Sequence, residues 1–151
     1  MLILEPYIAA DDVWVLPSYL PAPGLGSLVV NSYLIKSSDP ILIDTGMPVV
    51  KEEFLSALWS LIDPKDLKWV LLTHDDAGHS GALMEVLEAA PQARVHTQFA
   101  GLARLDRAYH MPLHRVEIVN PGDTFDGGGR ELGNSAAPSF RFSCDQRHIR
   151  R

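Results

Sequence analysis

The segment LKWVLLTHDDAGHSGAL, residues 67–83, decides the fold. Its first part, residues 67–73, is a nearly continuous apolar run of strand length, which is typical of a strand buried on both faces. His74 follows at the carboxyl end of that strand, and Ser80 is placed to cap a helix predicted over residues 81–89. A buried strand that leads directly into a helix predicts an α/β fold with helices packed on a sheet.

Shorter strands precede this segment, and further strands and helices follow it. Apolar stretches separated by turn residues predict an antiparallel meander at residues 2–5, 13–16, 28–35 and 40–44. Between them, residues 17–26 contain three prolines and two glycines and are predicted to form an exposed loop. Apolar residues at helical spacing predict helices over 50–62, 81–89 and 98–107, and short strands are predicted at 94–96 and 115–119.

Composition limits the classes of function. The chain has 151 residues, 46% of them hydrophobic, which is enough for one domain with a core. Its net charge of −6 argues against nucleic-acid binding through phosphate neutralisation. No apolar run approaches the roughly 18 residues of a membrane span, and the first residues lack the features of a secretory signal, so we expect a cytoplasmic protein. Cys144 is the single cysteine, so any metal site must use His, Asp and Glu.

Four potential metal ligands stand within six positions of the central segment: His74, Asp75, Asp76 and His79. Zinc, iron and manganese all accept imidazole nitrogens and carboxylate oxygens. Alternation along an extended turn brings His74 and Asp76 to one side and places Asp75 opposite, while a bend at Gly78 can return His79 to the first two. The alternative is a loop with two hydrogen-bonded histidines and no metal.

The order of motifs resembles the metallo-β-lactamase fold superfamily over about residues 12–132. The family has a strand followed by Thr-His-x-His-x-Asp-His, which THDDAGHS at 73–80 partly matches. NSYLI (31–35) and ILIDTG (41–46) resemble the family's early hairpin, and PGDTFDGGG (121–129) resembles the turn before its next metal-bearing strand. The resemblance implies the N-terminal half of an αβ/βα sandwich, with a mixed sheet and flanking helices, in a domain of residues 1–132 that is incomplete at its C-terminal side.

The resemblance also implies which residues bind the metal. His74 and His79 match family ligands directly, and Asp76 replaces the family's second histidine with a carboxylate. Asp75 is expected to be solvated or to lie just outside the ligands, and Asp44 is expected to order the loop by accepting backbone hydrogen bonds rather than to act as a base. Gly78 stands where the family has the aspartate that binds a second metal. A carboxylate at the middle position is similar to the diiron domains of flavodiiron proteins, which have Glu there, and this favours iron.

Three interpretations of function follow from the resemblance. The main expectation is a metal-dependent hydrolase in which zinc or iron activates water against an unidentified small-molecule substrate, with activity impaired by the missing ligands. The first alternative is a diiron domain that handles oxygen or nitric oxide and takes electrons from a donor such as a flavin protein. The second alternative is a truncated product without catalysis.

The composition changes abruptly near Gly133. Residues 1–132 carry nine Lys and Arg against eighteen Asp and Glu, whereas residues 133–151 carry four Arg and one Asp. The last stretch has no apolar period, so we predict a loosely ordered tail outside the family domain. A slip of the reading frame near Leu132 is one hypothesis for its origin. Because the family's sheet normally packs against a second half, an exposed apolar face is expected to favour self-association.

Overall fold

A mixed sheet organises the residues that the computed structural model describes, which are 2–3, 5–24, 26–134 and 142–144. Its eight strands are β1 (Leu2–Ile3), β2 (Tyr7–Ala10), β3 (Val13–Ala22), β4 (Gly26–Ile35), β5 (Ile41–Ile43), β6 (Trp69–Leu71), β7 (Arg94–Thr97) and β8 (Val116–Ile118). The spatial order is β1-β3-β4-β5-β6-β7-β8, and β2 also pairs with β3. Pairing is antiparallel as far as β5 and parallel from β5 to β8, so the predicted mixed sheet is confirmed.

Helices cover one face of this sheet. They are α1 (Lys51–Leu61), α2 (Ala77–Ser80), α3 (Leu83–Ala89) and α4 (Phe99–Tyr109). The apolar residues that recur at helical spacing face inward, and they join the apolar residues of the strands in one buried core that includes Leu42, Phe54, Leu58, Val70, Leu87, Val95 and Leu105. The three helices predicted from this spacing are therefore confirmed, each within a few residues of its predicted ends.

The prediction of a loop at residues 17–26 was wrong, because most of this stretch belongs to a long hairpin. Strands β3 and β4 pair without interruption from Val13 opposite Ile35 to Ala22 opposite Gly26. Pro17 and Pro21 lie at positions of β3 for which neither β1 nor β2 offers a register partner. The side of β3 that faces β1 and β2 therefore needs no N–H group at these two positions, and the prolines are compatible with the strand.

The prediction that Ser80 caps the helix over residues 81–89 was also wrong. That helix is α3, whose N-cap is Ala82 without a side-chain hydrogen bond, and the separate short helix α2 precedes it. Helix α2 begins earlier, with Asp76 as its N-cap, and the Asp76 side chain accepts a hydrogen bond from the Gly78 N–H at 2.9 Å. Ser80 ends α2, and its hydroxyl donates to the Asp76 carbonyl at 2.9 Å. Aspartate caps a helix as well as serine does, and the chain turns into the helix directly after Asp76.

A second, smaller sheet lies against the opposite face. It contains β9 (Thr124–Asp126), β10 (Glu131–Asn134) and β11 (Phe142–Cys144), all antiparallel. Phe125 and Leu132 of this sheet pack against Ile41 and Leu71 of the large sheet. The two sheets thus form the beginning of the sandwich that the resemblance implied.

Strand β11 falls within the predicted tail. It pairs with β10, from Leu132 opposite Cys144 to Asn134 opposite Phe142. The sequence analysis did not predict this strand, because pairing through backbone hydrogen bonds does not require an apolar period. The remaining tail, residues 135–141 and 145–151, lies outside the described residues, so its loose order stays a prediction.

Several large apolar side chains are exposed on the described surface: Tyr7, Ile8, Leu28, Val29, Val49, Phe99, Tyr109, Leu113 and Ile118. They are dispersed over β2, β4, α4, β8 and two short 3₁₀ turns that contain Val49 and Leu113, so they do not by themselves define a partner. Self-association stays a prediction. Among the described residues, none of the helices has the length and apolar character needed to cross a membrane.

A buried histidine lies on the face opposite the helices. His96 is 3% exposed, and its ring contacts Trp69 and Phe125 with centroids 4.5 and 4.4 Å away. Its Nε2 atom is 2.9 Å from a Glu117 carboxylate oxygen, but this ion-pair contact lacks hydrogen-bond geometry, and neither ring nitrogen has a hydrogen-bond partner among the described residues. Burial lowers the pKa of His96 below its ordinary value and outweighs the attraction of Glu117.

Acidification should therefore weaken the fold through His96. The unfolded chain, with an ordinary histidine pKa of about 6.5, binds the proton more readily than the folded chain. Stabilisation by His96 is complete above about pH 6.5 and is lost as the pH falls towards the folded pKa, by at most about 1.4 kcal/mol per pH unit. In urea denaturation between about pH 7.5 and 5, the wild type should lose stability relative to His96→Gln.

Comparison with His96→Gln isolates this effect. His79 has a raised pKa and acts in the opposite direction, but its contribution is common to both proteins and cancels in their difference. A difference in the free energy of unfolding that does not change with pH would contradict the assignment of a lowered pKa to His96.

Candidate metal centre

Three ligand-type side chains meet where β6 ends and α2 begins. His74 follows β6, Asp76 caps α2, and His79 lies within α2. His74 Nε2 is 2.9 Å from Asp76 Oδ2, the two imidazole centroids are 3.7 Å apart, and one ligand atom from each of the three residues lies within 4.8 Å of the others. The structure thus brings together the three residues that the sequence analysis selected, and their binding of a metal stays a prediction.

This group is open to solvent on one side. The exposed fractions of the side chains are 43% for His74, 60% for Asp76 and 22% for His79. A metal ion bound by these three residues would keep coordination positions free for water or a small ligand.

A buried carboxylate, Asp44, joins the strand ends to α2. Asp44 Oδ1 accepts from the Thr73 N–H at 2.8 Å, and Oδ2 accepts from the Thr73 hydroxyl at 2.7 Å and from His79 Nδ1 at 2.8 Å. The hydrogen bond to Asp44 raises the pKa of His79 above its ordinary value, despite the opposing effect of partial burial. Asp44 therefore lies beside His79 and supports the loop through Thr73, and its place next to a bound metal stays a prediction.

These hydrogen bonds also fix which imidazole nitrogens are available. A carboxylate only accepts, so the Thr73 hydroxyl must donate to Asp44, and its oxygen is left to accept from His74 Nδ1 at 2.8 Å. His79 likewise donates from Nδ1 to Asp44. In their neutral forms, both histidines therefore have the lone pair on Nε2, which is the state that binds a metal. In His74 this atom lies 2.9 Å from Asp76 Oδ2.

Asp75 faces away from this group, towards α4. Its two carboxylate oxygens accept from the Arg104 guanidinium, through Nε and through Nη2, the latter at 2.6 Å. The Arg104 guanidinium holds the pKa of Asp75 below its ordinary value. The sequence places Asp75 opposite His74 and Asp76 but does not reveal Arg104, because nothing local relates two residues that are 29 positions apart.

Gly78 contributes no side chain to the group. A Cβ atom at this position would lie 3.1 Å from Asp76 Oδ1 and 3.9 Å from a Val30 methyl group. The carboxylate that the family resemblance expects here is therefore absent, and the space beside the Gly78 backbone is occupied by the capping oxygen of Asp76.

Residues 45–48 pack against the end of α2 and hold it in place. The Thr45 N–H donates to the His79 carbonyl at 2.7 Å, and the Gly81 N–H donates to the Gly46 carbonyl at 2.9 Å. Gly81 approaches this segment so closely that a Cβ would lie 2.3 Å from the Pro48 nitrogen. Only glycine fits there, because any side chain would force the two backbones apart.

Comparison with known proteins identifies the family of the chain. The sequence profile of the metallo-beta-lactamase superfamily matches residues 25–139. The chain belongs to the metallo-beta-lactamase superfamily. The match confirms the resemblance stated from the motifs, and it extends past residue 132, where the sequence analysis ended the family domain.

The similar curated proteins are longer than this chain. The chain is 36% identical over 113 residues to the flavo-diiron protein FprA2 of Clostridium acetobutylicum, a match that covers 74% of the chain and 28% of that protein. It is 33% identical over 103 residues to the anaerobic nitric oxide reductase flavorubredoxin of Salmonella arizonae, covering 68% of the chain and 22% of that protein. The chain thus spans less than a third of the length of these relatives.

Solved structures share the fold. A flavoprotein from Thermotoga maritima matches with a TM-score of 0.82 at 22% identity, over 93% of this chain and 39% of that one. A metallo-beta-lactamase variant from Cronobacter sakazakii matches with a TM-score of 0.69 at 18% identity, over 87% of this chain and 54% of that one. Both similarities confirm the predicted α/β sandwich fold.

Replacing Asp44 by asparagine should destabilise the fold. Asparagine tolerates the backbone angle φ of +58° at this position, but either orientation of its amide sets an N–H against a donor that Asp44 now satisfies. We expect a loss of about 2 kcal/mol, which lowers the melting temperature by roughly 4–8 °C for a domain of this size. Asp63→Asn, which changes an exposed capping aspartate, is the matched control. If Asp44→Asn had the same melting temperature as Asp63→Asn, this would contradict a stabilising role for Asp44.

Proposed function

We propose that the chain is the metal-binding portion of a flavodiiron-type protein that reduces oxygen or nitric oxide, and that its centre holds one iron ion. The observation that carries the proposal is the 36% identity to a protein named as flavo-diiron, in a segment that contains the group of His74, Asp76 and His79. The names of the relatives support the diiron alternative better than the hydrolase that was the main expectation. They give no support to zinc.

The donor atoms of the group fit iron. Two histidines and one carboxylate, with coordination positions left open, form the ligand set of many non-haem Fe(II) proteins. Atoms that share one ion at about 2.1 Å lie at most about 4.2 Å apart, and the three ligand atoms here already lie within 4.8 Å of one another. A small side-chain rotation would close the remaining difference.

The neighbourhood favours one iron ion over two. Gly78 provides no carboxylate for a second ion, and both oxygens of Asp75 are engaged by Arg104. In the part of the chain that the structure describes, the ligand group contains no fourth His, Cys, Asp or Glu. We therefore infer a single ion, whose remaining positions face solvent.

The residues around such a centre would have separate roles. His74, Asp76 and His79 would hold the ion, and Asp44 would keep the Nδ1 proton of His79 in place so that Nε2 stays available. Bound iron would pass electrons from a flavin-type donor to oxygen or nitric oxide. The exposure of His74 and Asp76 would give both the donor and the small ligand access.

Metal analysis tests the number of ions. After anaerobic loading with Fe(II), the purified chain should contain at most one iron ion, held weakly enough that dialysis against a chelator removes it. His74→Ala and His79→Ala should abolish retention, whereas His114→Ala, which changes an exposed histidine outside the group, should not. Two tightly held ions per chain would contradict the proposal and would mean that Asp75 or a partner chain completes a second site.

Gas consumption tests the reaction. With a reduced flavin as donor, the iron-loaded chain should consume oxygen or nitric oxide faster than the His79→Ala variant does. Iron binding without consumption of either gas would favour the non-catalytic alternative. Hydrolysis of an ester, amide or phosphoester by a zinc-loaded chain would support the hydrolase interpretation instead.

A further inference from the structure

The contact between Asp75 and Arg104 links the ligand loop, which is the segment of residues 72–76 between β6 and α2, to α4. Arg104 lies in α4 and engages both carboxylate oxygens of Asp75 through Nε and Nη2. The Asp75 side chain is 15% exposed, while that of Arg104 is 62% exposed. A two-pronged contact of this kind fixes the orientation of the carboxylate as well as its position.

Asp75 lies between two residues of the ligand group, and its side chain points the other way. His74 and Asp76 point towards His79, whereas Asp75 points towards α4. Alternation along an extended backbone couples these directions, because rotating the backbone at Asp75 also turns its neighbours. A backbone rotation that turned Asp75 away from α4 would therefore also move His74 and Asp76.

Helix α4 is shaped to receive this loop. A Cβ atom on Gly101 would lie 3.6 Å from the Asp75 Cβ and 3.1 Å from the Thr97 hydroxyl. The loop thus rests against α4 at a glycine, one helical turn before Arg104. His79 is fixed separately, by its hydrogen bond to Asp44.

We propose that Arg104 is a positioning residue, which through Asp75 holds His74 and Asp76 in line with His79. The inference rests on the proposed function only in taking these three residues as metal ligands. The Arg104 side chain is 62% exposed, and an ion pair with a solvent-exposed partner contributes little to global stability. Loss of Arg104 should therefore disturb the ligand geometry while leaving the melting temperature almost unchanged.

Metal affinity is the first test, with Co²⁺ as the probe because its visible absorption reports coordination geometry. In Arg104→Ala and in Asp75→Asn, the dissociation constant for Co²⁺ should rise about tenfold, the visible bands should change, and the melting temperature should stay within about 2 °C of the wild type. Arg104→Lys should recover part of the affinity. Arg107→Ala, an exposed arginine on the same helix, should match the wild type.

A double variant separates coupling from independent effects. If Arg104 acts through Asp75, combining Arg104→Ala with Asp75→Asn should weaken Co²⁺ binding no further than either change alone. Wild-type affinity in Arg104→Ala would overturn the proposal. A fall in melting temperature of more than about 5 °C alongside the loss of affinity would also overturn it, because it would show a general structural role.

A measurement without metal keeps this inference separate from the proposed function. In the metal-free protein, Arg104→Ala should shift the NMR ring signals of His74 and leave those of His79 in place, with the signals assigned from His74→Gln and His79→Gln. Failure of the wild type to bind Co²⁺ would count against the metal centre but not against this shift. Unchanged His74 signals in Arg104→Ala would overturn the positioning role.

Discussion

The described structure depends most on the hydrogen bonds that the carboxylate of Asp44 accepts. Fully buried, this carboxylate accepts three hydrogen bonds from Thr73 and His79, and so joins the ends of β5 and β6 to helix α2. A buried charge is tolerated only when such donors surround it. The same three hydrogen bonds hold the segment that follows β6 in place and leave Nε2 of His79 available. Fold and candidate site are therefore two consequences of one arrangement.

Sequence reasoning succeeded where one element or one motif contained the signal. Apolar spacing was sufficient for α1, α3 and α4, and the unbroken apolar run before His74 was sufficient for β6. It failed where the decision depended on distant residues. Prolines suggested a loop at 17–26, but the open edge of β3 accommodates them, and Arg104 has no partner that local sequence identifies. Ser80 was wrongly predicted to cap α3, because it ends the short helix α2 instead.

Asp76 explains how the departure from the family motif affects the site. One of its oxygens caps α2 through the Gly78 N–H, and the other faces His74. A side chain at position 78 would crowd that capping oxygen, at 3.1 Å from a Cβ. The glycine and the aspartate are thus matched to each other. Together they convert a motif for two ions into a set of two histidines and one carboxylate, which underlies the proposal of a single iron ion.

Anomalous X-ray diffraction at the iron absorption edge, on crystals of the chain loaded anaerobically with Fe(II), would locate the bound iron and count its ions. We predict one anomalous peak per chain, bounded by the Nε2 atoms of His74 and His79 and by a carboxylate oxygen of Asp76, with Asp75 still turned towards Arg104. Two peaks at this position, or a single peak bound elsewhere on the chain, would contradict it.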